Sequence, residues 1–451
     1  MKITIEPKGP LKGELTPPPD KSISHRAAIL AGIAEGTSVI RNYLEAADTR
    51  STLSAMGSLG AGITEERPKD KTIVVNGRGL HGLKEPGMVL DCGNSGTTMR
   101  LLSGLLSGNP FFSVLAGDES LTSRPMARVI VPLKHMGAKI MARGEDKYPP
   151  IAIRGGGLKG LHYEMPVSSA QVKSALLLAG LYVEGETVIT EPFTSRDHTE
   201  KMLRLMGADV TEEGVEIYDS GNAGKAHIIK VQGPADELNP FEITIPGDFS
   251  SAAFFIVGAL ITRNSEILIK NVCLNPTRTG FLGALKKMGA KIEVENVHVL
   301  ISGATGKEEQ ELVGDLRVKG AQGLKAVNIG ESSVPLMIDE LPILFVAAAC
   351  AEGRSEIRGA AELRVKESDR IKAMAAGLKA MGIEVEEFKD GLAITGGKMK
   401  GACVSSFGDH RIAMSFAIAG LAASGITEIE NAEEAVKISY PDFFQTLRRL
   451  Q

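Results

Sequence analysis

Apolar and small residues fill nearly every position of six separated stretches: HRAAILAGIAEGTSVI, GTTMRLLSGLLSGNPFFSVL, QVKSALLLAGLYVEGETVIT, SSAAFFIVGALITRNSEILI, LPILFVAAACAEGRSEI and HRIAMSFAIAGLAASGITEI. Each opens as a helix with no sustained polar face, so each is expected to be buried on every face. Their Ala and Gly content suits helices packed close together. Most run on through a turn into a β-type segment.

A second pattern interleaves with the first. LKHMGAKI, LRLMGADV, LKKMGAKI and LKAMGIEV, with MGSLGAGI as a looser copy, read as amphipathic helices turning into a strand. Gly60, Gly137, Gly207, Gly289 and Gly382 stand where a left-handed C′ residue closes a helix. The last copy, FFQTLRRL, ends the chain. The repeat is therefore apolar helix, strand, amphipathic helix, strand or strands, about 75 residues long in a chain of 451. Six copies divide into two lobes of three, and the break is expected in GPADELNPFEITIPGD, which holds two turn signals. Residues 21–240 would form the first lobe and 1–20 plus 241–451 the second, with hinge crossings near 17–20 and 233–241. An open solenoid would need polar capping repeats, which the sequence lacks.

The N-terminal MKITIEPKGPLKGELT alternates like a strand to about Thr16 and has no signal-peptide apolar core. It is expected to join the second lobe, with Pro17–Pro19 stiffening the first crossing. The longest apolar runs, AAFFIVGALI and LPILFVAAAC, reach about half a membrane span. They read as buried helices of a cytoplasmic protein, with no membrane partner.

Composition narrows the function. Net charge is −4, aromatic content is 4% and Trp is absent, which argues against a nucleic-acid surface. Cys92, Cys273, Cys350 and Cys403 lie far apart, which fits a reducing compartment and no zinc site. There is no Walker phosphate loop, no strand-GxGxxG-helix fingerprint and no GxSxG elbow.

Chemistry is concentrated where the apolar helices begin. Their entrances are Asp20-Lys21-Ser22, Gly93-Asn94-Ser95-Gly96-Thr97, Ser168-Ser169-Ala170-Gln171, Gly247-Asp248-Phe249-Ser250-Ser251, Asp339-Glu340 and Gly408-Asp409-His410-Arg411. Taken singly, such residues are ordinary caps. Cations join them: Lys21, Arg26, Arg100, Arg124, Arg196, Arg411, and Lys366 with Arg370, whose spacing puts both on one helix face. A helix N-terminus also favours an anion. Lysine at the positive end of a helix dipole, as at Lys21, is unfavourable unless an anion sits beside it. Together these features point to small substrates rich in phosphate and carboxylate. His25 reads as a packing residue with no catalytic part.

The segments DKSISHRA, GNSGTTMRLL, LTSRPM, SSAQVKSALLLAGL, LRVKESDR and GDHRIAMS resemble, in order and over nearly the whole chain, the signatures of the 5-enolpyruvylshikimate-3-phosphate synthase family of enolpyruvyl transferases. The resemblance implies a two-lobed inside-out α/β barrel, each lobe three βαβαββ units with buried parallel helices whose N-termini face the cleft. It implies transfer of the enolpyruvyl group of phosphoenolpyruvate to the 5-hydroxyl of shikimate 3-phosphate, with loss of phosphate and no cofactor or metal. Lys21, Ser22, Arg26, Ser169, Gln171 and Arg196 would hold shikimate 3-phosphate, contacted also by Asp339 and Lys366. Lys21, Asn94, Gly96, Arg124, Gln171, Arg370 and Arg411 would surround phosphoenolpyruvate. Asp339 would take the proton of the attacking hydroxyl, while Lys366 and Glu367, with Lys21, serve proton traffic and charge. Gly96 would leave room for the inhibitor glyphosate.

Ala170 stands where one branch of the family has a second serine, and Leu101 where it has a proline. Both fit the other bacterial branch. Lys437 lies one residue from a lysine that contacts phosphoenolpyruvate in the first branch. Two other functions stay open: the related transferase acting on UDP-N-acetylglucosamine, which typically carries a cysteine in a Gly-rich lid loop absent here, and a non-catalytic phosphometabolite sensor on the same fold. A monomer is expected.

Overall fold

The computed structural model describes residues 2–66, 71–219, 222–300, 311–321 and 323–451. All six apolar stretches are helices: Lys21–Gly32, Gly96–Gly108, Ala170–Gly180, Phe249–Ile261, Leu341–Ala349 and His410–Ala422. Five start at a side chain that accepts from a first-turn N–H: Asp20 from Ile23, Ser95 from Thr98, Ser169 from Val172, Asp248 from Ser250 and Ser251, Asp409 from Arg411. Leu341–Ala349 has no side-chain cap and carries Pro342 in its first turn, where a missing N–H costs little. Every residue of that helix is buried, and each fully buried Leu, Ile or Phe contributes about 1.5–3 kcal/mol.

The amphipathic helices are Ala47–Ser58, Ala127–His135, His198–Leu205, Gly280–Lys287, Arg370–Ala380 and Phe443–Leu450. The first five end in the expected glycines: φ is +100° at Gly60, +103° at Gly137, +96° at Gly207, +87° at Gly289 and +84° at Gly382. No helix among the described residues is long and apolar enough to cross a membrane.

The chain folds as two compact units, one of Pro19–Ile245 with Leu300–Glu311, the other of Met1–Pro18, Pro246–Val299 and Leu312–Gln451. Parallel and antiparallel pairing mix in both. In the first unit, three four-stranded sheets share one plan: a parallel edge pair, then two antiparallel pairs. Strand Glu242–Thr244, from the end of the unit, supplies the parallel edge beside Thr37–Arg41 at its start, pairing Ile243 with Ile40. The three-repeat cycle thereby closes on itself.

The second unit closes with the N-terminus. Lys12–Leu15 lies parallel to Glu266–Cys273, and Ile3–Ile5 runs antiparallel to Thr427–Glu430 in the last sheet. The single strand expected up to Thr16 is thus two short strands in two sheets. Pro7, Gly9 and Pro10 separate them, and Gly9 takes a φ of +106°.

The buried helices pack against one another inside each unit. At Gly104 a Cβ would lie 2.0 Å from the carbonyl oxygen of Ala175, so helices Gly96–Gly108 and Ala170–Gly180 touch backbone to backbone. That approach lets their first turns share side-chain contacts.

Candidate active site

In the first unit the entrances of three buried helices are joined by hydrogen bonds. Gln171 Nε2 donates to Thr97 Oγ1 at 2.9 Å, and Arg100 Nη1 donates to Gln171 Oε1 at 2.7 Å. Arg124 donates to Asn94 Oδ1 at 2.6 Å and to the Asn94 carbonyl at 3.2 Å, while Asn94 Nδ2 donates to Asp118 at 2.8 Å. Gly96 faces this pair of guanidinium groups: a Cβ there would meet Arg100 Nη1 at 2.7 Å and Arg124 Nη1 at 3.6 Å. Arg196 Nη1 donates to Ser22 Oγ at 3.3 Å. Ser169 caps its helix, with Ala170 as the first helical residue.

Arg26 is buried. It donates from Nε to Thr199 at 2.7 Å, from Nη2 to Ser174 at 2.8 Å and from Nη1 to the Ser22 carbonyl at 3.1 Å. Much of its donor set therefore pins the first helix to its neighbours. Lys21 Nζ forms an ion pair with Asp48. An internal carboxylate thus offsets lysine at a dipole's positive end, a partner the sequence did not reveal. His25 is buried, with Nδ1 2.7 Å from Thr52 Oγ1; burial first, then Lys21 and Arg26, hold its pKa well below the usual range. That is a packing histidine, as expected.

In the second unit the LRVKESDR and GDHR segments meet. Arg370, 1% exposed, donates from Nε to Asp409 Oδ2 at 2.8 Å, and its other nitrogens reach Glu367 and, at 3.5 Å, Asp339. Burial opposes its charge, but Asp409, then Glu367 and Asp339, outweigh it and raise its pKa. Arg411 donates to the Asp339 carbonyl at 3.0 Å and lies 3.6 Å from its carboxylate. Lys366 Nζ donates to Glu362 at 2.9 Å.

The shared helix face inferred for Lys366 and Arg370 is corrected. Asp369 accepts from Lys372 N at 3.0 Å and starts the helix at Arg370, so Lys366 lies outside it, just after the 3-10 turn Ala361–Val365. Lys437 is exposed and paired with Glu434 at 2.8 Å, away from these groups in sequence and partnered locally.

Sequence reasoning missed several buried partners. Arg278 donates to Asp248 at 3.0 Å and to Ser250 at 2.8 Å, and Ser250 in turn bonds Glu340, the neighbour of Asp339. Lys173 is buried between Glu191 and Glu200. Of these, only Arg278 carried a usable signal, as a cation in the turn-rich NPTRTG.

In each unit, arginine or lysine and carboxylate stand at the entrances of the buried helices, a chemistry that suits anionic substrates and proton transfer. In fold the chain resembles an enolpyruvyl transferase from Streptomyces tendae, with a TM-score of 0.74 over 99% of this chain and 96% of the other, at 18% identity, a likeness of fold alone. An EPSP synthase from Acinetobacter baumannii matches at a TM-score of 0.82 and 46% identity, covering 100% of this chain and 98% of that one. The sequence model of EPSP synthase (3-phosphoshikimate 1-carboxyvinyltransferase) matches residues 5–447, and the chain belongs to that family. Relatives named 3-phosphoshikimate 1-carboxyvinyltransferase include those of Thermodesulfovibrio yellowstonii, 53% identical over 100% of both chains, and Carboxydothermus hydrogenoformans, 52% identical over 100% of this chain and 99% of the relative.

Proposed function

We infer that this chain does what its family's name describes: it transfers the enolpyruvyl group of phosphoenolpyruvate to the 5-hydroxyl of shikimate 3-phosphate, releasing phosphate. The family match over residues 5–447 carries this reading. It also favours this activity over transfer to UDP-N-acetylglucosamine.

The chemistry asks for three things. A proton must reach the methylene carbon of phosphoenolpyruvate, a base must take the proton of the attacking hydroxyl as its oxygen bonds the neighbouring carbon, and the new methyl group must then give up a proton, re-forming the double bond as phosphate leaves. Asp339, a carboxylate beside Arg370 and Arg411, is the proposed base. Lys366, with Glu367, is the proposed acid at the carbon. Arg124, Arg370, Arg411 and Lys21 are assigned to the charges of phosphoenolpyruvate, with Asn94, Gly96 and Gln171 shaping its pocket. Ser22, Ser169, Gln171 and Arg196 are assigned to shikimate 3-phosphate. Arg26 is assigned to the same substrate and also holds the Ser22 carbonyl at 3.1 Å. Fixed guanidinium groups cost no reorganisation when charge develops on the departing phosphate.

The crossings near residues 17–20 and 233–241 are proposed as hinges between lobes 21–240 and 1–20 plus 241–451. The chain is proposed to act as a cytoplasmic monomer; its four cysteines are all free thiols, which suits a reducing compartment. The test is phosphate release on mixing purified protein with shikimate 3-phosphate and phosphoenolpyruvate. Binding of both without release would favour a sensor, and release only with UDP-N-acetylglucosamine would favour the sister transferase.

A further inference from the structure

Arg196 sits in a segment, residues 192–197, that is neither helix nor strand. Its aim must come from side chains nearby. Ser195, the residue before it, is 4% exposed and has all its polar groups engaged by one buried ion pair. Its N–H donates to Glu191 Oε1 at 2.9 Å, its hydroxyl to Glu191 Oε2 at 2.6 Å, and its carbonyl accepts from Lys173 Nζ at 3.2 Å.

Lys173 lies 2.9 Å from Glu191 and 2.7 Å from Glu200, and none of the three side chains has any exposure. Burying ions is costly, and apolar residues of similar volume usually pack as well or better. Hydrogen bonds to charged groups are roughly twice as strong as neutral ones, however. A buried ion pair is therefore a firm peg for a loop with no secondary structure. The cluster also reaches the other anion-facing residues. Lys173 is on the helix capped by Ser169, and Glu200 follows Thr199, the acceptor for Arg26. Ser168 and Phe193 exchange two bonds, of 2.9 and 2.6 Å, that tie the capping segment to the Arg196 segment.

We propose that Lys173, Glu191 and Glu200 form a positioning device that fixes Ser195 and so aims Arg196 at an anionic group of shikimate 3-phosphate. This rests on the assignment of Arg196 to that substrate. None of the three cluster residues touches substrate; each acts through Arg196.

The experiment compares Glu191→Gln, Arg196→Ala and the double variant, with KM measured for each substrate. Glu191→Gln weakens the peg and should raise KM for shikimate 3-phosphate about tenfold, leaving KM for phosphoenolpyruvate within about twofold. In the Arg196→Ala background it should add less than about a twofold change, because the group being aimed is gone. Equal effects on both substrates, or the same factor in both backgrounds, would overturn the proposal. Arg196→Ala by itself tests the underlying assignment: an unchanged KM for shikimate 3-phosphate removes Arg196 as a ligand, and the positioning role with it. If Arg196→Ala raises that KM but Glu191→Gln does not, only the positioning role falls. Should Glu191→Gln fail to fold, Ser195→Ala breaks only the hydroxyl bond and should raise KM for shikimate 3-phosphate about threefold; no selective rise would again overturn the proposal.

Discussion

Arg370 and Asp409 meet at 2.8 Å with side chains 1% and 0% exposed, joining two sequence segments 39 residues apart. Asp409 serves three partners at once. It also caps the helix His410–Ala422 through Arg411 N at 2.8 Å and accepts from Ser368 Oγ at 3.1 Å. Asp409→Ala takes the carboxylate at 2.8 Å from a buried guanidinium that keeps Glu367 and Asp339, and removes a cap as well, a loss of about 3 kcal/mol. The expected result is a variant unfolded at much lower urea concentration with an unchanged denaturant slope. A midpoint within error of the parent's would refute the structural role given to this pair.

Gly96, proposed to border the phosphoenolpyruvate pocket, faces two guanidinium groups. A methyl group there would sit 2.7 Å from Arg100 Nη1, the far end of a flexible side chain that holds Gln171 at 2.7 Å. Gly96→Ala should therefore fold normally, because the arginine tip can yield, but the Arg100–Gln171 bond should be lost. KM for phosphoenolpyruvate should rise by about 10–100-fold, the usual cost of losing a hydrogen bond to a charged group, and the glyphosate inhibition constant should rise at least as much. Steady-state kinetics with both ligands checks this. Unchanged constants for both would mean that neither Gly96 nor Arg100 faces the ligands.

What was readable in the chain was local. Helix identity, caps and C′ glycines depend on residues within one turn of each other, so Asp20, Ser95 and Asp409 and the glycines from Gly60 to Gly382 stand where the pattern put them. Partners brought together by topology were not readable. Asp48 comes to Lys21 from the next helix, and Glu340 comes to Ser250 across 90 residues. Lys366 shows a local signal overruled by another. Four-residue spacing suggested one helix face, but Asp369 caps the helix after Lys366, and a cap sets where helical geometry begins. The N-terminal strand failed for a related reason, since alternation said nothing about the break at Pro7–Pro10.

Lys366 bears the sharpest functional expectation. Its ammonium is anchored by Glu362 at 2.9 Å. If it delivers the proton to the enol carbon, Lys366→Ala should lower kcat by about 10²–10⁴ while KM values move only a few-fold. Single-turnover phosphate release at saturating substrates separates the two effects. A variant with near-parental kcat removes Lys366 from the proton path.

The buried network around Glu191 predicts a pH-dependent stability. His227 lies between Glu191 at 3.1 Å and Glu212 at 3.1 Å, with Arg204 on the far side of Glu212 at 2.6 Å and Lys173 on the far side of Glu191. Burial opposes its charge, but the bonds to Glu191 and Glu212 prevail and raise His227 to about 9. Glu212 goes the other way: burial disfavours its charge, yet His227 and Arg204 bring it down to about 2. A raised histidine binds its proton more tightly in the folded state. Its contribution is complete below the unfolded value near 6.5, shrinks as pH rises, and is gone above about 9. A shift of this size corresponds to roughly 2–4 kcal/mol at the acid end of that window. His227→Gln should therefore lie well below the parent in unfolding free energy at pH 6 and approach it by pH 9.5. The depressed carboxylate acts at the opposite end, since the stability that Glu212 adds is present above about 4.5 and lost as pH falls toward 2. Denaturant unfolding of parent and His227→Gln across pH 6–9.5 checks the sign. A gap that stayed constant, or widened with pH, would show that His227 is not held protonated between the two carboxylates.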